Sequence, residues 1–454
     1  MGKTVALSGP SLELARASFL EYYRSHPPPL PSRFLRREFA YAPFSGTGMR
    51  RHLAMPSAEV FHRSLQEEVP RHLYYSSAYY EDPAHPIMVS KRWVGADLIF
   101  DLDADHLEDA GGLDYPGQLE LVKRKFRVLV EDYLLRDFGL DVTDVQLAFS
   151  GGRGYHAHVH KESFLGLSSA GRRELVDYLG GGGVDLSSYL YPSESLEKKA
   201  PGRRATAKAA AEATSPEAAP VRTKARMPKS TMNELPRFPP PDAPGWKGRF
   251  SRSFFELLTG WEKMSVAEAT QDILARAKRR GIETMRPSDA FTVARALLEE
   301  GKAAKVREYL VLDVGSKGKT GHRGVPISFI ELILAEGAVL LQGETDAPVT
   351  TDIHRLIRLP GSLHGGTGFR VRPLEIDQLR EFSPMRDALL PDPTHGRAVE
   401  VRLGTAVDYP LGEQRVKGAE GEVLPLPLPH ALFLILRGEG VLDGPRVPEP
   451  ARAE

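Results

Sequence analysis

The stretch Leu98-Ile99-Phe100-Asp101-Leu102-Asp103-Ala104-Asp105 alternates apolar residues with carboxylates. Successive side chains along a β-strand point to opposite faces, so Asp101 and Asp103 share the face opposite Phe100 and Leu102. Hard divalent cations such as magnesium take oxygen ligands and often sit on one or two carboxylates while substrate phosphates complete the shell. An Asp-x-Asp pair is also common at strand ends, so by itself it does not define a metal site. Asp105 extends the spacing into what reads as a turn.

Two later stretches carry matching chemistry. In Ser150-Gly151-Gly152-Arg153-Gly154-Tyr155-His156 the glycines allow positive φ and close approach of a ligand to the main chain. Arg153 offers a planar fork for phosphate oxygens. The same glycines also suit a plain hairpin. If a strand resumes after Gly154, His156, His158 and His160 share one face; a solvated face explains them more simply than a zinc site does. From Asp346 to His364 the chain holds carboxylates at 346 and 352, arginines at 355 and 358, and a Pro360-Gly361 turn leading to His364. These arginines would otherwise pair with core carboxylates. A carboxylate pair, a distant carboxylate and several phosphate-binding cations are together the parts of two-metal nucleotidyl transfer.

The elements that must position these residues are visible as periodicities. Val145, Leu147 and Phe149 alternate as a strand leading into the glycine turn. Between the two strands, Leu119, Val122, Phe126, Leu129 and Tyr133 mark one helical face, with Gly139 as the stop. Strand, helix and strand in this order predict an α/β domain. A helix over Leu12–Arg24 ends before Pro27-Pro28-Pro29. Arg33, Arg36 and Arg37 interleave with Phe34, Phe39 and Tyr41, which suits a solvated edge beside a packed strand, or contacts to phosphates and bases. Tyr74, Tyr75, Tyr79 and Tyr80 read as half-buried strand faces. Helical patterns return over Ser253–Leu258, from the capping-box pair Ser265 and Glu268 to Gly281, over Ser288–Glu300 and over Ser328–Ala335. Phe369 and Val371 alternate with Arg370 and Arg372 as a strand, and Ala431–Leu436 is a buried strand or helix.

Composition bounds the alternatives. The 454 residues are 41% hydrophobic, enough for a sizeable core, and Lys plus Arg equals Asp plus Glu at 60 each. No overall basic field marks a nucleic-acid binder, so any grip on a polyanion is local. The absence of cysteine excludes disulfides, thiolate metal sites and cysteine nucleophiles. No apolar run reaches membrane-spanning length and no leader precedes the first helix, so a soluble intracellular protein is expected. Lys198–Lys229 holds nine basic and two acidic residues without apolar periodicity. The domain division is therefore 1–190 for the first part of the core and 191–245 for a basic low-complexity linker. A helical subdomain follows at 246–312, the second part of the core at 313–444, and a disordered tail at 445–454.

Three motifs occur in a diagnostic order: YYSSAYYEDPAHPIMVSKRWVGADLIFDLD at Tyr74–Asp103, SGGRGYH at Ser150–His156 and RLIRLPGSLHG at Arg355–Gly365. In order and spacing the chain resembles the small, catalytic subunit of archaeal and eukaryotic DNA primases, over most of its length outside the basic linker. That resemblance implies a primase catalytic core of α/β class with mixed sheets and an inserted small helical subdomain. It implies metal-dependent synthesis of short primers from nucleoside triphosphates on a single-stranded DNA template, with magnesium or manganese as cofactor. It also implies a heterodimer with a large regulatory subunit. Asp101 and Asp103 match the family's metal pair, and spacing from the last motif selects Asp346 over Asp352 as the third carboxylate. Ser150, Arg153 and His156 match its triphosphate-binding motif, and Arg358 and His364 its second basic cluster.

Two departures stand out. Many members carry a cysteine-rich zinc knuckle where this chain has Glu108–Gly117, so no structural zinc is expected. Gly152 stands where some relatives have another arginine, which shifts the phosphate grip toward Arg153. A repair or stand-alone primase-polymerase of the same superfamily is the nearest alternative, and an inactive nucleic-acid-binding scaffold is one of another class. A metal-dependent nuclease would share the carboxylates but not need the triphosphate-binding cations.

Overall fold

The structure is a computed structural model that describes residues 7, 9–45, 48–107, 110–181, 184, 186, 189, 238–298, 311–313, 322–324, 326–341, 345–392 and 398–444. The linker up to residue 237 and the C-terminal tail lie outside the described residues, while the last part of the assigned linker is ordered: Phe238 stacks on Phe254 and a helix begins at Gly245. The chain forms two compact units, Met1–Val130 with Leu140–Val176 and Glu344–Glu454, and Glu131–Gly139 with Asp177–Gly343.

In the first unit, strands β6 (Leu98–Asp103), β7 (Val145–Phe149) and β8 (Gly154–Val159) join β12 (Arg372–Leu374) in the order β12-β7-β8-β6. β6 and β8 pair antiparallel, which sets Asp101 opposite His156 and Asp103 opposite Gly154. Phe100 and Leu102 are buried on the other face, as the period of two requires. A second sheet runs β11-β3-β1-β2, from Leu356–Arg358, His72–Ser76, Phe39–Ala42 and Arg50–Leu53. Every strand pairing among the described residues is antiparallel, where mixed sheets were expected. The helix Tyr115–Val128 lies against β6 and β8 and continues with π geometry over Leu129–Asp137. Beneath the sheet, Phe126, Phe149, Tyr155 and Phe382 form an aromatic core with contacting ring centroids 5.3 to 6.4 Å apart.

Several local readings change. The chain between Tyr75 and Tyr79 divides at Ser77, whose N–H and carbonyl pair with Arg355 and Asp97. Its two halves, β3 and β4 (Ala78–Tyr80), therefore enter different sheets and all four tyrosines are buried. Arg37 does not lie on a solvated edge or a phosphate surface: it is fully buried, 2.6 Å from Asp97. Phe369–Val371 is held by loop contacts, including one bridge between Leu363 and Arg370, and the regular strand begins at Arg372. Ala431–Leu436 belongs to a helix, Leu428–Arg437, stopped by Gly438 at φ 76°.

The second unit contains helices Gly245–Trp261, Val266–Arg279, Pro287–Leu298 and Ile327–Leu341, with a short pair of strands, β9 (Val311–Asp313) and β10 (His322–Gly324). The capping box at Ser265 and Glu268 forms as the sequence predicts. Buried Glu336 accepts from Arg276 at 2.8 Å and Arg280 at 2.6 Å, and Arg249 stacks on Tyr133 while pairing with Asp137. No described helix is long and apolar enough to cross a membrane.

Candidate active site

Asp101 and Asp103 project from β6 into a cleft of about 1160 Å³, lined wholly by the first unit. Asp346 reaches the same cleft from the turn before the helix Ala347–Thr351. Its own backbone N–H donates to the Asp101 carbonyl at 2.7 Å, and the Thr345 hydroxyl donates to that carbonyl at 3.2 Å. The third carboxylate is thus fastened to the strand that carries the first two. Asp352 caps the C-terminal end of the helix and accepts the His354 N–H at 2.8 Å.

The electrostatics of this cluster are unbalanced. Burial, followed by the like charges of Asp103 and Asp346, pushes the Asp101 pKa up to about 7, against the opposing pull of Arg358 and Arg355. His156 Nε2 lies 3.4 Å from Asp101 Oδ1. Burial, His158 and the same arginines hold this imidazole well below its usual pKa, so it stays neutral and cannot neutralise the carboxylate. Three oxygen-bearing side chains short of positive charge fit a hard divalent cation by donor type and charge. Among the described residues no three His, Asp or Glu side chains close around one point as a complete cage. A cation here would draw the rest of its shell from water and from substrate oxygens, as magnesium commonly does.

The glycine turn faces the carboxylates. Ser150 is buried, and its Oγ accepts the N–H groups of Gly152 at 3.3 Å and Gly154 at 3.2 Å, so the oxygen closes the turn from inside. Gly151 has φ 79°, and a Cβ there would sit 2.6 Å from the His364 Cβ. At Gly152 a Cβ would meet His364 Nε2 at 3.2 Å. The departure to glycine at 152 therefore lets the second basic cluster pack directly on the turn. Thr367 completes the junction, donating to the Gly151 carbonyl at 2.6 Å and lying 3.1 Å from His364 Nδ1. With Nδ1 held there, His364 turns Nε2 toward Gly152 and the cleft. Burial and the nearby Arg358 and His72 keep this ring neutral too.

The two arginines differ in their partners. Arg358 stands on β11 opposite Tyr74, its guanidinium 5.6 Å from that ring, and its buried Nε has no hydrogen-bond partner. Arg153 pairs with Asp105, and its Nε is 4.0 Å from Asp103 Oδ1. Asp105 thus belongs to the cleft, as does His106, whose Nε2 is 3.6 Å from Asp346 Oδ2. The alternation that exposes Asp101 and Asp103 stops at the tight turn Ala104–His106, and neither contact follows from it. His158 and His160 continue the face that starts with His156, but they lead away from the cleft toward buried Tyr75 and Asp97.

The chain is similar to known proteins over most of its length. The profile of the DNA primase small subunit family matches residues 100–376. The DNA primase small subunit PriS of Methanothrix thermoacetophila is 36% identical over 429 residues, covering 93% of this chain and 96% of that protein. PriS of Methanocella arvoryzae is 34% identical, with 93% and 96% covered. PriS of Archaeoglobus fulgidus is 33% identical, with 94% and 98% covered.

Proposed function

The chain belongs to the DNA primase small subunit family, and we propose that it is a primase catalytic subunit that joins nucleoside triphosphates into short RNA primers on single-stranded DNA during replication. The observation that carries this reading is the fastening of Asp346 to the Asp101 carbonyl, facing a turn that bears Arg153 and has His364 packed against it. Carboxylates alone would also suit a nuclease. Cations gathered on the facing wall suit a substrate that brings its own triphosphate.

Asp101, Asp103 and Asp346 would hold the divalent cations, magnesium or manganese, which lower the pKa of the attacking 3′-hydroxyl and offset charge on the departing pyrophosphate. Arg153 and Arg358 supply planar donors for phosphate oxygens, and the neutral His364 ring packs beside them on the glycine turn. His156 holds the Asp101 carboxylate in place on the β6–β8 ladder. Ser150 keeps the turn closed while substrate enters. The net charge of zero leaves only local basic patches for template, so binding by the chain alone is weak and salt-dependent. A large regulatory subunit that shares the template is the fitting partner, giving a heterodimer.

Primer synthesis on unprimed single-stranded DNA tests this, with ribo- and deoxyribonucleotides and with magnesium or manganese. Synthesis should be lost in Asp101→Ala and Asp103→Ala. A chain that extends only a pre-existing primer or a broken end would instead be a repair polymerase of the same superfamily.

A further inference from the structure

The turn Ser150–Gly154 has two carbonyls anchored from distant segments. Thr367 holds that of Gly151, and the Tyr115 hydroxyl donates to that of Gly152 at 2.7 Å. In a trans peptide the carbonyl and the following N–H point in opposite directions, and no cis peptide bond occurs among the described residues. Holding the Gly152 carbonyl therefore fixes the direction of the Arg153 N–H. Ser150 Oγ already takes the N–H groups of Gly152 and Gly154, whereas among the described residues the Arg153 N–H has no protein partner.

Tyr115 is itself held firmly. It is 7% exposed, it begins the helix capped by Asp114, and its ring lies 4.2 Å from the Arg437 guanidinium. Arg437 is fixed by Glu439 at 2.8 Å, and Glu439 also accepts the Tyr409 hydroxyl at 3.0 Å. Burial raises the phenol pKa, so the hydroxyl remains a donor throughout the working range. Nothing in the proposed chemistry otherwise uses this hydroxyl.

We propose that Tyr115 is a positioning residue for the triphosphate: by holding the Gly152 carbonyl it aims the main-chain N–H of Arg153, beside that residue's guanidinium, at the phosphate oxygens of the nucleotide. The anion is gripped by the backbone as well as by side chains, which a turn built of glycines permits. This inference rests on the nucleotidyl-transfer reading for its substrate.

Tyr115→Phe removes the hydroxyl and leaves the ring beneath Arg437. In the full chain it should raise the KM for nucleoside triphosphate about fivefold, the usual worth of one neutral hydrogen bond, with kcat within about twofold of wild type. The dissociation constant for inorganic tripolyphosphate, measured by calorimetry without template, should rise by the same factor, and the melting midpoint should stay within about 2 °C. Equal tripolyphosphate affinity in the two proteins would overturn the assignment, and so would a fall in kcat at unchanged KM. Calorimetry keeps the two readings separate: a wild-type chain that makes no primers removes the primase reading, while the tripolyphosphate comparison still decides the role of Tyr115.

Discussion

Asp97 and Asp101 stand four residues apart, just before and within β6, and their surroundings are opposite. Asp97 is fully buried yet saturated, with Arg37 at 2.6 Å, His160 Nδ1 at 3.1 Å and the Tyr79 hydroxyl on its oxygens. Burial alone would raise its pKa, but the His160 hydrogen bond and the Arg37 charge hold it below the usual carboxylate range. Asp101 is less buried, has no cation in contact, and is pushed up to about 7 by burial and by its carboxylate neighbours. A carboxylate supplied with every partner it needs stabilises a fold. One kept short of charge is ready to take charge from a ligand.

The sharpest way to break this contrast is substitution at the unsaturated end. Asp101→Asn should lower kcat for primer synthesis by about a thousandfold or more, on the order of 4 kcal/mol of transition-state stabilisation. Its urea midpoint should not fall, because the substitution removes a repelling charge; a large loss of stability would mean that Asp101 is structural after all. At the saturated end, Asp97→Asn leaves Arg37 buried without its counter-charge and should cost about 3 kcal/mol in urea unfolding, while activity per folded molecule persists.

The pH dependence should differ in sign between the two ends. With a chelator present, Asp101 is protonated in the folded chain at pH values where the unfolded chain has lost the proton. The unfolded state then binds fewer protons, so this group's contribution to stability declines as pH rises from about 4 to 7. Asp97 behaves oppositely, contributing fully above its unfolded pKa and losing that contribution as pH falls through its depressed folded value. Unfolding of wild type and Asp101→Asn across this range, in chelator, checks the first slope: only the wild type should show it, and adding magnesium should remove it. The smallest effect concerns Arg153, whose partner Asp105 is 42% exposed on its side chain. Asp105→Asn should lower the nucleotide KM only about two- to threefold, because the pair it breaks is partly solvated. A rise in KM would instead make Asp105 a support for Arg153.

What sequence conveys here follows from the range of each interaction. The shared face of Asp101 and Asp103 depends only on a period of two, and the Ser265 cap on a spacing of three, so both are legible locally. Arg37 was not, because its partner lies 60 residues away and an arginine among aromatics looks the same on a wet edge as in a buried pair. Motif spacing points to Asp346, and the fold adds a main-chain bond from its N–H to the Asp101 carbonyl that no side-chain pattern encodes. Tyr115 stands four residues before Leu119 and extends that helical face, so the sequence shows a packed ring and only the folded turn gives its hydroxyl an acceptor.

The contact of Thr345 and Asp346 with the Asp101 carbonyl joins positions that leave the ribosome far apart in time. Thr345 follows Asp101 by 244 residues, a delay of roughly 10 to 50 seconds at about 5–20 residues per second. Until then the nascent chain carries only two of the three carboxylates proposed to hold the cations, and it lacks the loop of His364. Synthesis would thus act as its own timer: under the proposed function, a translation product that stops before Thr345 should fail to use nucleotides however well its earlier strands have paired.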